Sequence, residues 1–182
     1  MKRFVAILCA CSAVFAGIAG AATAHGKHHA RREHAAVSGL DKEWLKTSME
    51  GDLFEVDGGK IAKSKSTDPA VLRLANRLIS DHTQSYSDAA KLARKLGVEV
   101  PTEPTPSEQW ELQIVQSFTG KAFNHWYASL EVFDHMQDIQ ESTDEVKDGS
   151  NSEVREEAKR DLPMLRQHLR LSRAALRANP NP

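Results

Sequence analysis

Residues 69–97, PAVLRLANRLISDHTQSYSDAAKLARKLG, decide the fold. Wound at about 100° per residue, Val71, Ala75, Leu78, Ala89, Ala93 and Leu96 fall on one side. Arg73, Asn76, Arg77, Ser80, Gln84, Lys91, Arg94 and Lys95 fall on the other. The stretch predicts one long amphipathic helix. Asp68 caps it, Pro69 takes its first position, and Gly97 closes it. His82 lands at the centre of the apolar side. A buried imidazole without a hydrogen bond or ligand is costly, so His82 requires a partner from elsewhere in the chain.

Working outward, the remaining chain reads as helix almost throughout. One helix is expected over 41–66. Residues 98–106, VEVPTEPTP, contain three prolines and predict an extended crossover. Ser107 is expected to cap a short amphipathic piece over 108–118, which Thr119-Gly120 breaks. Two more helices are expected over 121–146 and 152–177. They are separated by a turn at Gly149-Ser150-Asn151, with Ser150 or Asn151 as cap, and Pro163 should kink the last one. No β pattern or internal repeat is present. Two tight turns and one long link predict an all-α, ferritin-like four-helix bundle of two antiparallel hairpins joined by a crossover. The bundle is expected over 39–177, with a disordered tail at 178–182.

The first 24 residues carry a different message. Met1-Lys2-Arg3 is a basic start, 4–20 an apolar run, and Ala22-Thr23-Ala24 a small-residue cleavage site. This predicts a secretory signal peptide cut after Ala24 and a periplasmic location. A lipid anchor at Cys11 would leave too short an apolar run. Of 182 residues, 158 remain after the cut, with 22 basic and 25 acidic side chains and a net charge of −3. That weak acidity argues against nucleic acid as partner. No second hydrophobic segment follows, so the mature protein is expected to be free of membrane spans or peripherally attached to the envelope. Cys9 and Cys11 leave with the signal, which removes disulfides, thiolate nucleophiles and cysteine ligands. Residues 25–38, HGKHHARREHAAVS, lack apolar periodicity and read as a flexible arm. It is either a solvated linker or a loose tract for metal or anionic lipid.

Helical wheels place further donors inside. Glu55 shares a face with Trp44, Ser48, Gly59 and Ala62, small neighbours among them allowing close helix approach. His82 has Asp81 and Tyr86 at its edges. His135 lies beside Ala128, Val132 and Ile139, with Glu131 one turn earlier at spacing i, i+4. His168 flanks Leu165 and Leu169, with Glu157 and Asp161 on its side. Along antiparallel helices, Glu55 and His82 fall within about 3 Å of one level. His135 and His168 differ by about 7 Å, which places His168 nearer Glu131 and His135 nearer Asp161, and leaves one site or two open. Glu55, His82, His135 and His168 are the candidate ligands of a divalent metal, with Glu131 and Asp161 as additional candidates. Imidazole and carboxylate suit Zn, Fe or Mn. The competing reading is a buried network in which His82 bonds Glu55 and no metal is bound. Trp110, Phe118, Phe123, Trp126, Tyr127 and Phe133 read as core aromatics, and His125 as a core histidine or a further ligand. No nucleophile elbow or phosphate-binding loop appears.

These strings resemble a known family. They are Phe54-Glu55-Val56, Lys60-Ile61-Ala62, Asp81-His82-Thr83, Leu96-Gly97-Val98 with Pro101, Phe118-Thr119-Gly120 with Phe123 and Tyr127, Asp134-His135, and Leu162-Pro163 with His168-Leu169. Their order over about 40–176 is similar to that of a bacterial ferritin-like envelope family, domain of unknown function 4142. The resemblance implies a ferritin-like bundle in the outer membrane or periplasm with motif positions at Glu55, His82, His135 and His168, and it brings no settled activity. Asn124 stands where the family usually has an acid. The Glu-x-x-His pairs of di-iron proteins are missing, with Ile79 before His82 and Leu165 before His168 at that spacing. The expected role is therefore metal binding, sensing or storage. A structural or partner-binding envelope protein is the alternative, and a metal-dependent enzyme would require an open coordination position and a cavity.

Overall fold

A computed structural model describes residues 36–180. The proposed signal peptide and nearly all of the His-rich arm lie outside these residues. Five helices occur: α1 (Gly39–Lys65), α2 (Pro69–Leu96), α3 (Pro106–Ser117), α4 (Gly120–Asp148) and α5 (Ser152–Ala178). Among the described residues there is no strand, so the described part of the chain is all-α. No described helix is long and apolar enough to cross a membrane.

Local chemistry sets the boundaries. Ser38 and Asp41 form a reciprocal capping box at the start of α1. Asp68 accepts from the N–H groups of Ala70 and Val71, and Gly97 ends α2 at φ 69°. α3 starts earlier than expected. Thr105, not Ser107, is its cap, because Glu108 sits three residues on and completes a second capping box, while Pro106 supplies a preset φ at the first position. Asn151, rather than Ser150, caps α5, and the helix continues past Pro163, whose side is exposed.

α1 packs on α2, α2 on α5, α5 on α4, and α4 back on α1; α3 lies against α1 and α4. The pairings fix direction. Trp44 near the start of α1 donates to Ser142 near the end of α4, and Lys95 near the end of α2 bonds Glu153 at the start of α5. Neighbouring long helices thus run antiparallel all the way round. The connection from α2 to α4 must return along the molecule, and the 98–119 segment with α3 supplies that return. At one end of α1, Asp41 accepts from the backbone N–H groups of Ser150 and Asn151 at 2.9 Å each. This ties α1 to the α4–α5 turn.

Two apolar layers bracket the middle. One contains Ala62, Leu74, Leu78, Phe123 and Tyr127, and the other contains Trp44, Leu45, Leu92, Val154 and Ala158. Gly59 permits the α1–α2 contact, since a Cβ there would meet Ile79 Cγ1 at 2.7 Å and the Ala75 carbonyl at 3.1 Å. Small residues do bring these helices together, as expected from the wheel. The aromatic expectation holds only in part. Phe123 and Tyr127 are buried and Phe118 is half-buried, but Trp110, Trp126 and Phe133 are exposed, Phe133 by 71%. The inward line of α4 runs through Phe123, Tyr127, Glu131 and His135 at fours, which leaves Phe133 on the opposite side. His125 is half-buried and lies outside both candidate ligand sets; its Nδ1 lies 2.9 Å from the Asn179 carbonyl at the end of α5.

Candidate metal centre

Between the two apolar layers sits a band of buried polar side chains. His82, His135 and His168 come from α2, α4 and α5, are each no more than 2% exposed, and bring ligand nitrogens within 4.8 Å of one another. The ring centroids are 5.0 to 5.8 Å apart. The expected depth mismatch between His135 and His168 is therefore corrected. Side chains on a helix lean toward its N-terminus. In antiparallel α4 and α5 this tilt carries His135 away from the connecting turn and His168 back toward it, so the rings meet.

The second nitrogen of each ring is occupied by oxygen. His135 Nδ1 lies 2.8 Å from the Glu131 backbone carbonyl. A carbonyl only accepts, so Nδ1 carries the proton and Nε2 is a bare lone pair, and that Nε2 is buried without a partner. His82 Nδ1 lies 2.7 Å from Asp52 Oδ1, and His168 Nε2 lies 2.9 Å from Asp81 Oδ2. The free nitrogens of these two rings, His82 Nε2 and His168 Nδ1, face each other at 3.1 Å. Burial pushes His82 and His168 down to about 4, and pushes His135 well below the usual imidazole range with help from the other two rings. The rings are neutral at pH 7, which is the form that binds metals.

A carboxylate compartment adjoins the imidazoles. Glu55 Oε1 lies 3.4 Å from His135 Nδ1, and Glu131 Oε2 lies 3.9 Å from the same atom. Glu55, Asp134 and His135 form a second set whose ligand atoms lie within 4.8 Å of one another. Both oxygens of Glu55 and of Glu131, Oδ2 of Asp134 and the Tyr127 hydroxyl are buried without hydrogen-bond partners. Burial, reinforced by Glu131 and Asp134, raises Glu55 well above the usual carboxyl range. Burial raises Glu131 to about 8, with Asp134 adding to the rise. A cation is the simplest group that would satisfy so many buried acceptors together.

The four residues singled out on the wheels thus meet in one band, though not in the pairing expected. His82 bonds Asp52, and Glu55 lies against His135. Asp52 stands three residues before Glu55 on the inner side of α1, and its carboxylate is the one that reaches His82. Glu131 falls within the carboxylate set. Asp161 does not join either ligand set; it is half-buried and lines a cavity with Asp52 and His82. Asp52 and Asp134 were not recognised from sequence, although each lies three or four residues from an inward-facing donor. The cavity that reaches His82 has a volume of about 20 Å³. It accommodates a water or a small ion, far below the several hundred Å³ typical of pockets for organic ligands.

The profile described as Domain of unknown function (DUF4142) matches residues 26–174, so the chain belongs to that family. No curated protein matches it. A solved structure of a DUF305 fragment from Deinococcus radiodurans is similar, with a TM-score of 0.69 at 11% identity, covering 78% of this chain and 98% of that one. At that identity the likeness speaks for the fold alone.

Proposed function

We propose, for a chain of this family, that the protein is an exported, periplasmic ferritin-like four-helix bundle that holds a divalent metal between its helices. Its role is binding, sensing or storage. The ligands are His82, His135 and His168, with Glu55 beside His135 supplying or balancing charge and Glu131 and Asp134 behind it. One observation carries the reading: three neutral imidazoles from three helices converge, and each has its remote nitrogen occupied by an oxygen. Metal-binding histidines have that construction, because the outer acceptor fixes the tautomer and sharpens the ligand's basicity. Three nitrogens and nearby carboxylates without sulfur favour Zn, with Fe and Mn as alternatives.

Elemental analysis of the mature protein, purified without a His tag, tests this. About one divalent ion per chain is expected, with loss in the His82→Ala and His135→Ala variants. Substoichiometric metal that the substitutions leave unchanged would reject it.

A second reading rests on the contacts of His82. Its bonds to Asp52 and His168 also make a closed network without metal, with one proton between Nε2 and Nδ1. That network would specify helix register. It predicts a melting temperature indifferent to chelators.

A further inference from the structure

Resting on the metal reading above, we infer that the seam between α2 and α5 is the loading route of the ion, with Asp161 at its neck and Asp52 as the carboxylate that passes the ion to the imidazoles. The route is built from two adjoining hollows. The outer one is an open groove on the α2–α5 surface that includes Asp81, Asp88, Glu157 and Asp161. The inner one is the cavity that includes Asp52, Asp138, Glu141 and His82. Ser85, Asp161 and Met164 line both hollows and so form the neck between them.

Carboxyl groups line the route. In the groove, Arg77 pairs with Asp81 and Arg160 with Glu157, so neither arginine is left to repel an incoming cation. Past the neck the cavity lining carries Asp52, Asp138 and Glu141 and neither lysine nor arginine. Asp52 is the inner end. Its Oδ1 holds His82 Nδ1, while its Oδ2 is buried without a hydrogen-bond partner. Asp52 therefore lines the cavity while touching a ligand ring. A route lined by oxygen lets an ion exchange its water shell stepwise, which a closed apolar wall would forbid. Met164 suits the neck because a flexible thioether yields to a passing ion and closes behind it.

Rates of Zn²⁺ uptake and release by the full mature protein test the inference, with uptake started from a zinc salt and release followed by a coloured chelator. Asp161→Asn should slow uptake at least five-fold at low ionic strength. Met164→Phe should slow uptake and release together, leaving equilibrium occupancy unchanged, and Met164→Ala should speed both. Glu156→Gln, on the exposed side of α5, serves as the control and should match the wild type. Unchanged rates in both Asp161→Asn and the Met164 variants overturn the route while leaving the metal site standing. A wild-type protein that takes up no Zn²⁺, Fe²⁺ or Mn²⁺ overturns the site and the route together.

Discussion

His82 Nε2 and His168 Nδ1 face each other at 3.1 Å, each ring braced from behind by an aspartate, Asp52 for the first and Asp81 for the second. Two nitrogens so placed share one proton or turn together toward one ion. The aspartates decide how well they do the latter. Asp52→Asn and Asp81→Asn should each weaken Zn²⁺ affinity about 10- to 100-fold without unfolding the protein. Competition against a chelator of known strength measures it. Wild-type affinity in both variants would mean that the braces do not act on a metal.

Removing the ion should cost stability. A ligand present at about 1,000 times its Kd adds roughly 4 kcal/mol to the folded state. For a domain of this size that corresponds to a shift in Tm of about 10 °C. The wild type should lose that increment on addition of a chelator, while His135→Ala should melt at one temperature with or without it. Differential scanning calorimetry reads both.

The glycines of α1 should respond in opposite directions. Gly59→Ala drives a methyl into Ile79 and the Ala75 carbonyl, and should destabilise by about 1–3 kcal/mol despite the better helix propensity of alanine. Gly39→Ala meets nothing within 4 Å and should be neutral or stabilise by up to about 1 kcal/mol. Urea denaturation of the two variants provides the comparison.

Glu145 should make stability depend on pH. Burial pushes its pKa up to about 8, aided by the charge of Asp41. In the unfolded chain the group titrates near about 4.3. Between those values the folded state holds the proton more tightly, so this contribution to stability declines as pH rises from about 4.3 toward 8. Glu145→Gln keeps the shape of the side chain and removes the ionisation. It should match the wild type near pH 4 and exceed it by about 1 kcal/mol at pH 8, an increment kept small by solvent screening. Equal stability of the two proteins across this range would show that Glu145 ionises freely in the fold.

The helices were legible in the sequence because their signals are local. Asp68-Pro69, Gly97 and Asn151 each act within a turn of their own position. The inward faces of Glu55, His82, His135 and His168 were legible for the same reason, since a wheel needs only spacing. Pairing was not. Whether His82 meets Asp52 or Glu55 depends on axial level and on the tilt of each side chain, which amount to a few ångströms and cancel or add according to helix direction. Thr105 was passed over as a cap because the prolines around it mask the capping box completed by Glu108. The exposed Trp110, Trp126 and Phe133 show the opposite failure: hydrophobicity alone does not mean burial, and the 3.6-residue period of α4 puts Phe133 out of line with His135.

The hairpin arrangement has one more consequence. α1 and α2 carry Asp52, Glu55, Asp81 and His82, while α4 and α5 carry Glu131, Asp134, His135 and His168, and only the 97–119 stretch joins the two sets covalently. Neither half owns all the ligands of the proposed metal site. An ion in the middle would act as a clasp, so fragments cut between Gly97 and Thr105 would reassemble with an affinity set by free metal.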